Sequence, residues 1–376
     1  MTRFIDVHVL QTLPPSNPNR DDTGSPKSAT FGGVRRMRIS SQAIKRATRT
    51  DFEETLPKEE LGIRTKRIVQ VLRDEIVRQS RELEDRAAEL SDMAMTAIGF
   101  KTSAPKAKKG QEPSDEQLAQ AGFLVFLSAK QIEHVADAVI SVADEDDPAK
   151  AFKALKPKNL VDTDHSIDIA LFGRMVAEPE SLNVDAACQV AHALGVGPVT
   201  PEYDYYTAVD DVKTDEEDSG AGMIGTVEFT SATLYRYATI NLPMLEKNLG
   251  SKQAAQEAVK AFVDSFVRSM PTGKQNTFAN RTVPDAVVVQ VRDDQPINLV
   301  GAFEDAVEAD GHGFARPAVQ RLVTFEKDLR EGTGLLPEKT LVSWSSDRAA
   351  KIGELGERVP MADLGNATVA AIEELS

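Results

Sequence analysis

Residues 27–49 read KSATFGGVRRMRISSQAIKRATR and contain seven basic residues and no acidic one. The whole chain carries a formal net charge of -15, so a purely cationic run is unusual in this acidic sequence. Positive charge concentrated on one short element is typical of a surface that binds a polyanion. The stretch therefore predicts a site for phosphate groups. A solvated basic face paired with acids elsewhere is the alternative that the residues alone leave open.

The same stretch predicts a strand that leads into a capped helix. Gly32 and Gly33 allow a tight turn, and residues 34–39 alternate as a strand with Met37 and Ile39 on one face. The other face carries Arg36 and Arg38. Ser40 or Ser41 then caps a helix. Helical spacing places four polar residues on one helix face, opposite an apolar stripe. The polar set is Gln42, Lys45, Arg46 and Arg49, and the stripe is Ala43, Ile44 and Ala47.

Length and composition indicate a globular chain with enough residues for a core. It has 376 residues, of which 41% are hydrophobic and 27% charged. No segment has the roughly 18 uncharged apolar residues of a membrane helix, and the N-terminus lacks a secretory pattern. Cys188 is the only cysteine, which excludes an internal disulfide and a cysteine-based zinc cluster. We therefore expect a cytoplasmic protein without a membrane partner.

The first half of the chain predicts one strand, a long loop and an α-rich block. Residues 4–11 alternate as a strand with Ile5, Val7 and Val9 facing the core, and His8 on the other face is expected to be a structural residue or a surface group and not a catalyst. Residues 12–33 are rich in loop-forming types. Helical patterns cover residues 61–99, 116–127 and 129–143, with a break at 101–114. The simplest explanation is a helical insertion in a domain that resumes later.

The second half predicts a helix, a long hairpin and a helix–strand pair. A helix is expected over 184–195, with Cys188 as core filler. Residues 203–242 indicate a protruding β-hairpin with Met223 and Ile224 at an apolar tip. A helix over 251–270, a basic loop over 271–281 and a strand over 285–292 follow. The order approximates β-α-β-β-α-β, the ferredoxin-like topology shared by RNA-recognition modules. The fold class is therefore α+β.

Patterns typical of catalytic or metal sites are absent. The five histidines have no ligand spacing, and neither a P-loop nor a G-x-S-x-G motif occurs. The pairs Asp21-Asp22 and Asp210-Asp211 are weak metal candidates, since adjacent residues on an extended chain point to opposite faces. We expect no metal, no cofactor and no catalytic residue.

Several motifs together resemble one known family. They are FIDVHVL at 4–10, NRDD at 19–22, the F-G-G-x-R-R-x-R-I-S-S-Q-x-x-K-R pattern at 31–46, DIALFGRM at 168–175, YTAVDD at 206–211 and EFTSATLYRYATINL at 228–242. In this order they resemble the CasC family of the RAMP superfamily, the backbone subunit of Cascade. Cascade is the type I-E CRISPR surveillance complex.

The resemblance implies a hand-shaped, non-catalytic subunit. Its RRM-like palm would comprise 1–60 and 184–376, with helical fingers at 61–183 and a β-hairpin thumb at about 200–232. Copies would polymerise along CRISPR RNA beside other Cascade subunits. Each thumb would kink the guide at a regular interval and leave one base unpaired, while the remaining guide pairs with target DNA.

The resemblance also implies RNA-binding residues. Those on the guide-phosphate positions are Lys27, Ser40, Gln42, Lys45, Arg46 and Arg49, and Arg20 and Arg38 are expected to bind RNA beside them. Met175 and Ile224 fall where apolar wedges flank the kinked base. Tyr206 and Thr207 lie at the thumb base, and Lys274 and Gln275 in a further palm loop. An alternative is a backbone subunit of the type III kind that cleaves RNA with Asp21 or Asp22.

Overall fold

The computed structural model describes residues 3–104, 118–176, 179–208 and 223–375. The chain divides into two compact units. The first unit comprises residues 1–51, 189–242 and 259–376, and the second comprises 52–188 and 243–258. Residues 209–222 of the predicted hairpin, just before its expected tip, and most of the predicted break at 101–114 lie outside the described residues.

The strands, in chain order, are β1 (Phe4–Ser16), β2 (Ser28–Phe31), β3 (Val34–Ile39), β4 (Gly62–Thr65), β5 (Thr102–Ser103), β6 (Gln120–Ala121), β7 (Val125–Ser128), β8 (Cys188–Val190), β9 (Ala193–Gly195), β10 (Glu202–Ala208), β11 (Met223–Asn241), β12 (Ala286–Arg292), β13 (Lys339–Trp344) and β14 (Glu357–Arg358). The α-helices are α1 (Ser41–Thr55), α2 (Ile68–Gln79), α3 (Ala87–Ile98), α4 (Ala129–Ser141), α5 (Pro148–Ala154), α6 (Ile167–Phe172), α7 (Leu242–Leu249), α8 (Lys252–Arg268), α9 (Gln275–Phe278), α10 (Ala315–Thr333) and α11 (Leu364–Glu374). None of the helices in these described residues combines the length and apolar character that a membrane span requires.

One large sheet organises the first unit. Its strand order is β14-β13-β12-β1-β11-β9-β3-β2, and β8 and β10 also pair with β11. Both β1 and β9 run antiparallel to β11, so they are parallel to each other. Helix α1 follows β1, and α8 lies between β11 and β12 in the chain. The central order β12-β1-β11-β9 is therefore the ferredoxin-like one, and the predicted α+β class is confirmed.

Strand β1 is buried on both of its faces. Ile5, Val7 and Val9 are fully buried, as predicted from their alternation. On the other face, Leu10 belongs to the apolar cluster formed with α10 and residues 299–303. His8 lies on this second face, and its Nδ1 is 2.9 Å from the Tyr235 hydroxyl. Of the two roles expected for His8, the structure shows the buried structural one and not the surface group.

A buried polar network surrounds Asp6, two residues before His8. The Asp6 carboxylate accepts hydrogen bonds from the Tyr237 hydroxyl at 3.0 Å and the Ile297 N–H at 2.9 Å, and it pairs with Arg292 at 3.3 Å. Burial raises the pKa of Asp6 to about 6 despite these partners. Burial, with the charge of Arg292, lowers the pKa of His8 to about 3, so the imidazole is neutral in the folded chain.

The second unit is mainly helical, around an apolar cluster drawn from α2, α3, α4 and α5. Helix α4 confirms the prediction for 129–143, and Ser128 caps it in a capping box with Gln131. The helix predicted over 116–127 is wrong where the chain is described, because β7 pairs there with β4. The short apolar run suited either structure, and pairing with a partner strand decided the outcome.

The helix predicted over 184–195 is also wrong. Cys188 lies in β8 and is buried, and residues 193–195 form β9, which pairs with the long strand β11. The Ala191 N–H donates to the Tyr237 carbonyl at 2.9 Å. The alanines favour a helix locally, and pairing with the central strand overrides that preference.

Candidate nucleic-acid interface

The β2–β3 hairpin and α1 form the centre of the predicted site. Gly32 and Gly33 join the strands with φ angles of 57° and 75°, the left-handed region that a tight hairpin turn requires. The predicted strand is confirmed as β3. The predicted cap is confirmed at Ser40, whose hydroxyl accepts the Ala43 N–H at 3.3 Å. Ser40 is itself buried, so its side chain is largely committed to the start of α1.

Helix α1 turns its polar side outward as predicted. Gln42 and Arg46 are exposed, while Lys45 and Arg49 are half-buried. On the opposite side Ile44 is buried, and Ala43 and Ala47 are half-buried. Asp51 ends the acid-free run, and its carboxylate pairs with Arg268 through two contacts of 2.5 and 3.0 Å. The polar side therefore presents an amide and three cations to its surroundings.

Arg36 corrects the prediction for β3. It was expected on a cationic face with Arg38, but it is fully buried. Its guanidinium donates to the carbonyl groups of Val196 at 2.5 Å and Glu304 at 3.1 Å. Alternation predicts the face of a strand correctly, yet it says nothing about a distant segment that covers this face. Arg36 therefore anchors the hairpin, and Arg38 is the half-buried cation of this face.

The loop at 17–27 folds back onto the junction of β3 and α1. The side-chain oxygen of Asn19 accepts the Ser40 N–H at 2.8 Å, and its carbonyl accepts the Lys27 N–H at 2.9 Å. The Lys27 carbonyl then accepts the Arg38 N–H at 2.9 Å. These bonds hold Lys27 beside β3 and place the loop that carries the exposed Arg20 against the start of α1. The sequence did not mark Asn19 as a site residue, although asparagine and aspartate, as in the Asn-Arg-Asp-Asp run at 19–22, are common turn residues.

Loop residues 271–281 pack against the loop at 17–27. A Cβ added at Gly273 would lie 2.7 Å from the Pro18 carbonyl carbon and 3.0 Å from the Asn17 carbonyl oxygen, so the two backbones touch. Lys274 follows with a φ of 51°, a left-handed conformation that is uncommon for a side chain with a Cβ. With its side-chain amide turned so that the oxygen faces the donors, Gln275 accepts hydrogen bonds from the Arg281 guanidinium. Lys274 and Gln275 are thereby held beside the predicted site.

The hairpin of β10 and β11 carries the predicted thumb residues. Thr207 pairs with Ile224, and Tyr206 pairs with Gly225. Ile224 therefore lies in a paired strand and not at the hairpin turn itself. The Tyr206 ring packs across Gly225, where any Cβ would clash with it, and Tyr206 is 39% exposed. Asn17 donates to the Glu228 carbonyl at 2.9 Å, which ties this hairpin to the loop at 17–27.

Met175 belongs to the second unit and is 92% exposed. Its neighbours on both sides are buried. The Arg174 guanidinium donates to the carbonyl groups of Leu182 at 2.7 Å and Val161 at 2.8 Å, and the Val176 N–H donates to the Asn183 side chain at 2.5 Å. Burial lowers the pKa of Arg174 to about 10. An apolar side chain is thus held in solvent by two anchored neighbours.

Asp21, half of the alternative catalytic pair, closes a turn. Its Oδ1 accepts the Thr23 hydroxyl at 2.7 Å and the N–H groups of Thr23 and Ser25 at 3.0 Å each. These hydrogen bonds lower the pKa of Asp21, and the bond from the Thr23 hydroxyl contributes most. Asp22 is exposed. Within the described ranges, histidine, cysteine and carboxylate side chains form no group of three with the spacing of a metal site.

His192 is a further member of the cationic surface that the sequence did not indicate. It is exposed between β8 and β9, and its Nδ1 lies 3.1 Å from an Arg38 guanidinium nitrogen. Partial removal from water, with the charges of Arg38 and Lys27, lowers the pKa of His192. A lone histidine far from residues 27–49 carries no sequence signal for this neighbourhood.

Comparisons with known proteins cover nearly the whole chain. A family model described as CT1975-like protein matches residues 5–367. A solved structure described as "CRISPR RNA-guided surveillance complex, pre-nicking" is 34% identical with a TM-score of 0.81, covering 98% of this chain and 99% of that chain. Another, described as "CRISPR RNA-guided surveillance complex", is 30% identical with a TM-score of 0.72, at the same coverages of 98% and 99%. No curated protein matches.

Proposed function

The chain belongs to the CT1975-like family, and from this premise we propose that it is a backbone subunit of a CRISPR RNA-guided surveillance complex of the type I-E, Cascade kind. It binds CRISPR RNA and catalyses no reaction. Similarity to chains of such complexes along 98% of this sequence is the observation that carries the proposal. Its partners are the guide RNA, the paired target DNA strand, further copies of the chain and other Cascade subunits.

The cationic surface supports binding through the RNA backbone. Arg20, Lys27, Arg38 and the polar side of α1 offer guanidinium, ammonium and amide donors, which suit phosphate oxygens. Backbone contacts fix position without reading sequence, so one subunit accepts any guide. Base pairing with the target then supplies the sequence specificity. The net charge of -15 disfavours nucleic acid elsewhere on the protein.

Met175 supports the proposed kink in the guide. An exposed apolar side chain on an anchored backbone suits insertion beside a base, which partly unstacks the step without recognising its sequence. Ile224, on the strand that leads into the hairpin turn, is proposed as the second wedge. Repeated in successive copies of the chain, such wedges leave one guide base unpaired at a regular interval.

The salt dependence of RNA binding tests this proposal. With about five phosphates neutralised per subunit, the logarithm of the affinity should fall with the logarithm of the salt concentration at a slope of about -3.5. Replacing Lys45, Arg46 and Arg49 by alanine should flatten that slope by about 2, for any RNA sequence. A matched triple variant at Arg316, Lys327 and Lys351, which are exposed on other elements, removes the same charge. It should leave the slope unchanged, and equal effects of the two triple variants would reject the site.

A cleavage assay tests the proposed lack of catalysis. Asp21 caps a turn through its Oδ1, which supports a structural role for the residue. Target RNA paired to guide in assembled complexes should remain intact with Mg²⁺ or Mn²⁺. Metal-dependent cleavage that Asp21→Asn or Asp22→Asn abolishes would establish the RNA-cleaving alternative instead.

A further inference from the structure

His192 and Arg38 form a hydrogen-bonded pair whose geometry fixes the proton on the imidazole. The Arg38 guanidinium has only N–H donors, so His192 Nδ1 must accept across the 3.1 Å between them. The neutral ring therefore carries its proton on Nε2. Because the side chain is exposed, that N–H is available to an anion that approaches from solvent.

The surroundings of His192 are cationic. Arg38, on β3, and Lys27, just before β2, are the charged groups that act on the ring. The Arg38 Nε donates to the Ser28 carbonyl at 3.3 Å, which keeps the guanidinium beside His192. In the part of the chain that the structure describes, no carboxylate is among the charged groups that act on the ring. The two cations therefore disfavour a third positive charge until an anion arrives.

We propose that Lys27, Arg38 and His192 form one phosphodiester site at which RNA binding takes up a proton on His192. The inference rests on the proposed RNA-binding function and names a residue of that surface. The proton comes from solvent and adds to Nδ1, so both ring nitrogens become donors. Nδ1 then no longer accepts from Arg38, and the guanidinium turns its N–H groups to the same phosphate. The anion balances the imidazolium that the free protein disfavours.

The sign of the effect follows from linkage. Binding raises the pKa of His192 from its depressed value in the free chain, so affinity increases as the pH falls through the range between the two values. A phosphate charge about 4 Å from the ring shifts the equilibrium by about fivefold when water screens it fully, and by more where the site is drier. We expect affinity to increase about fivefold to tenfold on acidification.

The experiment measures binding of a short oligouridylate to the full chain at about pH 8 and about pH 5.5, at constant ionic strength. Uracil does not take up a proton in this range, so the RNA adds no pH dependence. The matched variant is His192→Gln, whose amide keeps one acceptor and one donor and cannot be charged. Wild type should bind more tightly at the lower pH, whereas His192→Gln should bind with the same affinity at both pH values.

A second readout follows the histidine directly. In NMR spectra of the chain with labelled histidine, the resonance that His192→Gln removes should titrate below the ordinary histidine pKa without RNA and above it with RNA. Salt-dependent binding without pH dependence, or with equal pH dependence in both chains, overturns this inference alone. A wild-type chain that fails to bind the oligouridylate at either pH overturns the proposed function as well.

Discussion

Gly273→Ala tests whether the loop that carries Lys274 is set by direct backbone packing. The φ of Gly273 lies outside the left-handed region, so alanine can adopt this backbone conformation without strain. The effect of the substitution therefore depends only on whether there is room for the added Cβ. The atom nearest to the added Cβ would be the Pro18 carbonyl oxygen, well inside the 3.4 Å at which ordinary contacts begin. The two loops must therefore separate by about 1 Å. Overpacking of this kind costs about 1–3 kcal/mol, and here the atoms that must give way belong to the backbone of the buried residues Asn17 and Pro18.

The same displacement should weaken RNA binding. If Lys274 loses its phosphate, the salt slope should flatten by about 0.7, and the affinity should fall about tenfold, as expected for one hydrogen bond to a charged group. Lys274→Ala should give the same change in slope without the loss of stability. Urea unfolding and RNA titrations at several salt concentrations measure the two effects separately.

Gly332→Ala is the matched control, because nothing lies within 4 Å of its added Cβ and the residue is in α10. It should leave RNA binding unchanged and stabilise the chain by up to about 1 kcal/mol through helix propensity. Wild-type stability of Gly273→Ala would refute the packing of the two loops. A normal salt slope in both Gly273→Ala and Lys274→Ala would refute the placement of Lys274 on the RNA surface.

Three further predictions concern the cap, the buried histidine and the wedge. Ser40→Ala should destabilise the chain to urea by about 1 kcal/mol and Ser40→Asn much less, since asparagine also caps; equal losses would contradict the capping role. Because the pKa of His8 is lowered to about 3 from 6.5, stability present above 6.5 is lost as the pH falls towards 3. Wild type should therefore lose about 1.4 kcal/mol more than His8→Gln between about pH 7.5 and 5.5 in urea unfolding, and parallel losses would contradict this. Met175→Ala should change stability by less than about 0.5 kcal/mol. In chemical probing of the RNA in assembled complexes, it should remove the high reactivity of the guide base that is left unpaired, whereas Met175→Leu should keep that reactivity. Unchanged reactivity in Met175→Ala would reject the wedge.

The sequence predicted the elements whose signal is local. The alternation of Ile5, Val7 and Val9, the cap at Ser40 and the helix over 251–270 all depend on residues close together in the chain, and each is confirmed. Prediction failed where the outcome depends on a distant partner. Arg36 is buried because residues 303–304 cover it, and 193–195 is a strand because β11 pairs with it.

The candidate surface shows the same division. Its cations are evident in residues 27–49, whereas the groups that organise them are polar residues outside that run. Asn19 holds Lys27 beside Ser40, and Asn17 ties the same loop to the hairpin strand at Glu228. Neither asparagine has a charge or a periodic pattern, so sequence reasoning assigns both to an ordinary loop. The boundaries of palm, fingers and thumb, the type I-E assignment and the RNA contacts stay predictions.

The arrangement of these bonds has a consequence for how the surface binds. Lys27, β3 and the start of α1 are joined by consecutive main-chain and asparagine hydrogen bonds, so their positions are fixed before any RNA arrives. A preformed set of donors pays little ordering entropy on binding. Asn19→Ala should therefore weaken RNA binding although it removes no charge, and the salt slope should distinguish the two mechanisms. Loss of order lowers affinity at every salt concentration and keeps the slope, whereas loss of a phosphate contact flattens it by about 0.7. A flattened slope in Asn19→Ala would mean that this loop binds phosphate itself and does not merely position its neighbours.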